Sequence, residues 1–222
     1  MATTKTAPST SITIPALRLE TAVFTVYGTS PIIIHAFAQK ARQMMLDKHM
    51  GKASQGREKK NPFRDFVDSL YWITDMPTFD FEQPPETLMR QFAECIKAGA
   101  KFGFPAIGFK GAMVTACTSL GKTVISKIAA RQAFHINEEF IQINGIPQMR
   151  EDMVRIAMGT ADIRFRPEFR EWTANIPITF NTAVISRDQI ANILNTAGFA
   201  VGVGDYRPEK DGQFGRFTIS SE

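Results

Sequence analysis

Glycines gather near the C-terminus: Gly198, Gly202, Gly204, Gly212 and Gly215 lie in or beside the run Ala200–Phe217. Between them stand Tyr206, Arg207, Lys210, Phe214 and Arg216. Glycine lets another backbone or a phosphate come close. Cations meet phosphates, flat rings meet bases, and unshielded amides serve either. The stretch reads as a glycine-rich loop that feeds a last short strand, Phe217–Ile219, and forms one wall of a nucleic-acid groove. The same residues also read as a long hairpin-like turn with solvated charges.

Other residue groups bear on the choice. Lys40, Arg42, Lys48, Lys52, Arg57, Lys59, Lys60 and Arg64 are eight cations against two acids, Asp47 and Glu58. That net +6 exceeds the +4 of the whole chain. Such clustering fits a phosphate backbone better than a merely solvated excursion. Arg164, Arg166 and Arg170 are expected around one turn, where an anion would relieve their repulsion.

Ala116–Thr123 nearly spells a phosphate-binding P-loop, but an alanine stands where the opening glycine belongs and the residues before it look helical. Lys122 is therefore read as a surface cation or a backbone-phosphate contact. Of His35, His49 and His135, the first is the best placed for general-base ribonuclease chemistry; a partly buried, hydrogen-bonding or stacking histidine is the favoured reading. No nucleophile elbow and no His/Cys metal spacing occur, so neither a catalytic residue, a metal nor a cofactor is expected. Cys95 and Cys117 do not resemble a secreted disulfide framework. With no apolar leader and no membrane-length stretch, a cytoplasmic protein is expected, in the host cytoplasm if the source is viral.

The elements that must position these groups follow from periodicity. Residues 1–12, rich in Ser, Thr, Ala and Pro, read as a flexible arm, and residues 13–222 as a single domain. At 44% hydrophobic residues the chain has enough apolar surface for a core. Leu17–Tyr27 and Ile32–Ile34 read as strands around the Gly28–Pro31 break. Residues 37–85 read as an inserted basic lobe. Within it Gln39–Met50 has helix formers, and Phe63–Trp72 places its aromatics on one helical face. Glu86–Ala100 is an amphipathic helix, Pro105 can open another, and Thr123–Ala133 is a further candidate. Phe134–Ile143 and Ile146–Ile156 read as strands, and Ala161–Arg166 with Phe169–Phe180 as a strand pair. Ser186 with Gln189 opens the clearest helix, which Gly198 is expected to stop. The order is an α+β, ferredoxin-like (RRM-like) βαββαβ core with the basic lobe inserted after the first strand.

Three stretches occur in the order found in one family: Val26–Ile33 with its Gly-x-x-Pro-Ile turn, Phe104–Ala112 with Pro-x-x-x-x-Lys-Gly, and the glycine loop Gly202–Arg216. Together they resemble the RAMP superfamily, the RNA-recognition-motif-like proteins that include backbone subunits of CRISPR effector complexes. The resemblance implies a modified ferredoxin-like fold, single-stranded nucleic acid along its surface and head-to-tail assembly. It places Lys110 at the basic position of the middle motif, and Gly202, Gly204, Gly212 and Gly215 in the loop. Gly108-Phe109 stands where the family usually has Ser-Ser, and small residues replace the arginine that often follows. A CRISPR effector subunit and a solitary phage or mobile-element relative both remain open.

The expected function is that of a non-catalytic binder of single-stranded RNA or DNA, assembling as a filament. The candidate contacts are His35, Lys40, Arg42, Lys52, Arg57, Lys59, Lys60, Lys110, Lys122, Arg164, Arg166, Arg170, Tyr206, Arg207, Lys210, Phe214 and Arg216. The alternatives are a metal-independent endoribonuclease using His35 and a phage structural or assembly protein.

Overall fold

The computed structural model of the protein describes residues 16–37, 39–52, 60–120, 125–156 and 160–219. The expected N-terminal arm, Arg57, Lys59 and Lys122 lie outside them, as does the side chain of Lys40. The architecture is mixed α+β, with two antiparallel sheets.

In the larger sheet, β1 (Leu19–Gly28) and β9 (Thr173–Asn181) are the long central pair, antiparallel from Leu19↔Asn181 to Tyr27↔Thr173. Their alternation decides which way each faces. Ala22, Phe24, Val26, Ala174, Ile176, Ile178 and Phe180 point inward and are buried. The strand order is β10-β1-β9-β6-β4-β3, with β10 (Phe217–Ile219), β6 (Phe140–Asn144), β4 (Phe102–Pro105) and β3 (Tyr71–Trp72). A short β5 (Phe134–His135) meets β9 farther along, at Phe180 and Thr179. The buried strand residues share one hydrophobic cluster with α4 (Ala106–Ser119) and α6 (Arg187–Ala200), which also pack on each other. Phe109, Met113, Ile190 and Leu194 are fully buried there. Burying each such side chain contributes roughly 1.5–3 kcal/mol.

The expected Ser186 cap is present and reciprocal: Gln189 N–H donates to Ser186 Oγ (3.2 Å), and Ser186 N–H to Gln189 Oε1 (2.8 Å). Gly198 does not stop α6, which runs on to Ala200. A Cβ at Gly198 would collide with the Phe217 carbonyl, so glycine serves the approach of β10 instead.

The second sheet has the order β2-β8-β7, from β2 (Ile32–Ile33), β8 (Thr160–Phe169) and β7 (Pro147–Ile156). The expected pairing of the strands on either side of Pro167–Glu168 is not formed. β8 pairs instead along its whole length with β7, from Pro147↔Phe169 to Ile156↔Thr160. Three residues separate β8 from either neighbour, 157–159 from β7 and 170–172 from β9, so connection length does not choose between them; β9 is instead taken up by β1 along its whole length. The chain then crosses to β9, anchored by the buried Trp172, whose indole N–H donates to Ser30 C=O (2.9 Å).

The segment 37–85 holds α1 (Gln39–His49), α2 (Pro62–Asp68) and β3; α3 (Pro85–Lys97) follows. The helix expected over Phe63–Trp72 ends early. Asn61 caps its start, Ser69 Oγ donates back to Asp65 C=O (2.6 Å), and Tyr71–Trp72 pair with Gly103 and Phe102 as strand. Phe63, Phe66 and Val67 of α2 join the main core, whereas Met44, Met45 and Leu46 of α1 are exposed. The expected helix near residue 123 is α5 (Lys127–Ala133), capped by Ser126.

Candidate nucleic-acid interface

The glycine loop is pinned against the turn between β1 and β2. Asp205 N–H donates to Ile33 C=O (2.8 Å), Gly215 N–H to Pro31 C=O (2.7 Å), and Thr29 N–H to Arg216 C=O (2.8 Å). Within the loop, Val203 N–H donates to Gly215 C=O (3.0 Å), Phe214 N–H to Tyr206 C=O (3.0 Å) and Gly212 N–H to Arg207 C=O (3.1 Å). Two far ends of the sequence thus form one unit. The geometry demands glycine at Gly204, whose φ is +81° and where a Cβ would strike the Ile33 carbonyl. The expectation of unshielded amides is corrected for these positions, because the amides of Val203, Asp205, Gly212, Phe214 and Gly215 bond inside the protein. What the loop presents is side chains.

Tyr206, itself at φ +53°, lies over a buried cation: the Arg166 guanidinium is 5.3 Å from its ring centre. Arg150 sits 4.8 Å from the Phe214 ring in the same way, and the two rings are 6.4 Å apart. Arg150 and Arg166 are opposite each other across β7 and β8. Like charges so placed repel. Carboxylates two residues along each strand answer them. Arg150 donates to Asp152 (2.8 Å) and Glu168 (2.9 Å); Arg166 lies 3.7 Å from Asp152 and 3.5 Å from Asp205. Arg166 Nε also donates to His35 Nδ1 (3.1 Å).

That last bond defines the histidine. Arginine always carries its protons, so Nδ1 must accept and the proton of the neutral ring sits on Nε2. His35 is at the surface, yet partial burial of the imidazole, then the Arg166 charge, lower its pKa; the Asp205 carboxylate pulls the other way. An Nε2 that bears the proton is a donor rather than a general base. Beside it, Tyr71 O–H donates to His35 C=O (3.3 Å), and burial followed by the Asp205 charge raises the tyrosine pKa.

The other sequence candidates divide. Arg166 is only 5% exposed and is a packed residue, not a surface cation. Because β8 and β9 do not pair, the three arginines do not ring one turn. Arg164 and Arg166 lie along β8, and Arg170 follows that strand, mostly exposed and 3.5 Å from Glu168. Arg164 is 3.8 Å from Asp162, to which Lys60 also donates (2.8 Å). The Asp162 pKa is lowered, chiefly by that Lys60 bond. Arg207 pairs with Glu209 (2.9 Å), Lys210 is exposed, and the Arg216 amide donates to Ser30 Oγ (3.0 Å). Lys52 pairs with Asp47 (2.9 Å), and Arg42 is exposed on α1.

Lys110 is elsewhere. Its Nζ bonds His135 Nδ1 (2.9 Å), and His135 lies opposite Thr179, which faces Thr21. The glycine loop meets β1 at Gly28, about 20 Å along the strand at the usual rise per residue. Neither the outward residues of β1 (Leu19, Thr21, Val23, Thr25, Tyr27) nor those of β9 include Lys or Arg. Ala116–Ser119 end α4 rather than follow a strand, so the P-loop-like run lacks the strand-to-helix setting that phosphate binding needs.

Arg150, Asp152, Glu168 and Asp205 were not singled out by sequence. The signal was there for the first three: charged residues recur at every second position along Arg150–Asp152 and Asp162–Arg164–Arg166–Glu168, which puts each set on one face of its strand. Among the described residues, no three His, Cys, Asp or Glu form a group that could hold a metal, and no helix is long and apolar enough to cross a membrane.

No family model and no curated protein matches the chain. Eleven solved chains do. One is Cmr6 from Pyrococcus furiosus, at 7% identity and a TM-score of 0.41, covering 92% of this chain and all of the other. A likeness that distant carries no conclusion about this protein.

Proposed function

We propose that the protein is a non-catalytic binder of single-stranded RNA or DNA, of RAMP type, that assembles along the strand. In this reading β1, α4, β6, β9, α6 and β10 form a ferredoxin-like βαββαβ unit; the order β10-β1-β9-β6 and the packing of α4 on α6 support it. The single observation that carries the function is the meeting of four separate segments on one side. Ile33 holds Gly204 and Asp205, His35 meets Arg166, Ala36 N–H donates to Ser69 C=O (2.8 Å), and Lys60 reaches Asp162. The glycine loop, the β7–β8 ribbon and the basic lobe therefore adjoin. Bases stack on Tyr206 and Phe214, whose undersides are held by arginines, while Arg164, Arg170, Lys210 and Arg42 face the backbone phosphates.

The endoribonuclease alternative is disfavoured by the His35 tautomer, which leaves no lone pair at Nε2. The test is fluorescence anisotropy with labelled oligodeoxythymidine and oligouridine over a salt series. Affinity is expected to fall with a log–log slope near −0.7 for each phosphate engaged. Binding that ignores salt, or no binding at low salt, overturns the proposal.

A further inference from the structure

The chain leaves β2 through Ile34–Phe37 and enters a second concavity, a groove of about 960 Å³ between α1 and the segment that carries α2. Phe37, Met45, Leu46, Met76 and Phe81 are its apolar lining. Four of these are large apolar side chains left open to solvent: Phe37 is 54% exposed, Met45 56%, Leu46 51% and Met76 44%. Apolar surface concentrated in one groove marks a binding site rather than ordinary scattered exposure.

Two arginines, Arg42 and Arg64, line the same groove with His49, against the single carboxylate of Asp68. The Arg64 guanidinium lies 5.2 Å from the Phe81 ring centre and 3.8 Å from Asp68. A guanidinium beside a ring keeps its positive charge next to the apolar lining, where the phosphate flanking a stacked base would meet it.

The groove is also continuous with the glycine-loop cluster. Phe37 is two residues from His35. The bond from Ala36 N–H to Ser69 C=O ties that link to the end of α2, one residue beyond Asp68. At the other end of α2, Lys60 holds Asp162 of the β7–β8 ribbon. We propose that this groove is a second subsite for the same single strand: the apolar lining takes nucleobases, and Arg42 and Arg64 meet the phosphates on either side. The inference rests on the function proposed above. Charge complementarity and continuity favour a nucleic-acid occupant over an amphipathic protein segment.

The test uses the full chain and three labelled ligands: the shortest oligodeoxythymidine that binds, one several nucleotides longer, and the longer one made abasic at either end. The variant is Met45→Ser/Leu46→Ser, which removes apolar surface at two exposed positions without changing charge; a melting curve checks its fold. The longer strand is expected to bind wild type about tenfold tighter than the shortest, as one stacked base can supply. The variant loses that gain and keeps the short-strand affinity. Abasic ends make wild type behave like the variant. Wild type that binds strands while the double substitution or the missing bases change long-strand affinity less than about twofold overturns this subsite alone, and is the outcome a protein occupant would give. If no strand binds at all, the function proposed above falls and the subsite falls with it.

Discussion

Arg166 makes four interactions from a buried position: a hydrogen bond to His35, ion pairs with Asp152 and Asp205, and a place under the Tyr206 ring. Removing one member of such a network leaves the others desolvated and uncompensated. Arg166→Ala is expected to destabilise the fold by about 3 kcal/mol in urea unfolding. Arg166→Lys does not restore stability, because an ammonium is not planar and cannot serve these directions together. His35 adds a pH dependence. Its pKa is lowered in the folded state, so the unfolded chain binds the proton first as pH falls. The stabilisation is fully present above the unfolded value near 6.5 and is lost as pH drops from there through the folded value. Melting temperature measured from pH 7.5 to 5.5 should fall for wild type and fall less for His35→Gln.

At the scale of elements, α6 and β10 frame the glycine loop, and Gly198 is where the helix backbone comes close to the Phe217 carbonyl. In an open helix, Gly→Ala stabilises by up to about 1 kcal/mol. Here the methyl group would meet the Phe217 carbonyl, so Gly198→Ala should destabilise, with the sign reversed. A thermal melt that shows a gain would mean β10 does not lie where described. The β7–β8 ribbon makes the complementary point. On its charged face the opposed Arg150 and Arg166 are answered by the diagonal carboxylates Glu168 and Asp152, and it is this face, rather than the loop backbone, that supports the two aromatic rings.

For the whole molecule, position decides which cations count. Arg170 lies beside the Arg150–Glu168 pair, whereas Lys110 is bonded to His135 toward the other end of the large sheet. Arg170→Gln is expected to reduce the salt slope of strand binding by about 0.7, one phosphate contact, and Lys110→Gln to leave it unchanged. Equal effects would show that the strand also crosses the far end of the sheet.

Local chemistry is legible in the order of residues alone: the alternating apolar residues of β1, the Ser186–Gln189 cap, the strand break at Gly28–Pro31 and the clustering of glycines all state their outcome within a few residues. Which strands become partners is not legible there, because β8 fits either neighbour by composition and only the packing of two sheets selects β7. The same holds for charge. The sequence counts the arginines and lysines, but whether a cation can meet a ligand depends on how exposed it is and on which part of the fold it stands in. Arg166 inward, Lys110 to the far end and Arg150 under Phe214 were decided by tertiary contacts between residues far apart in the chain.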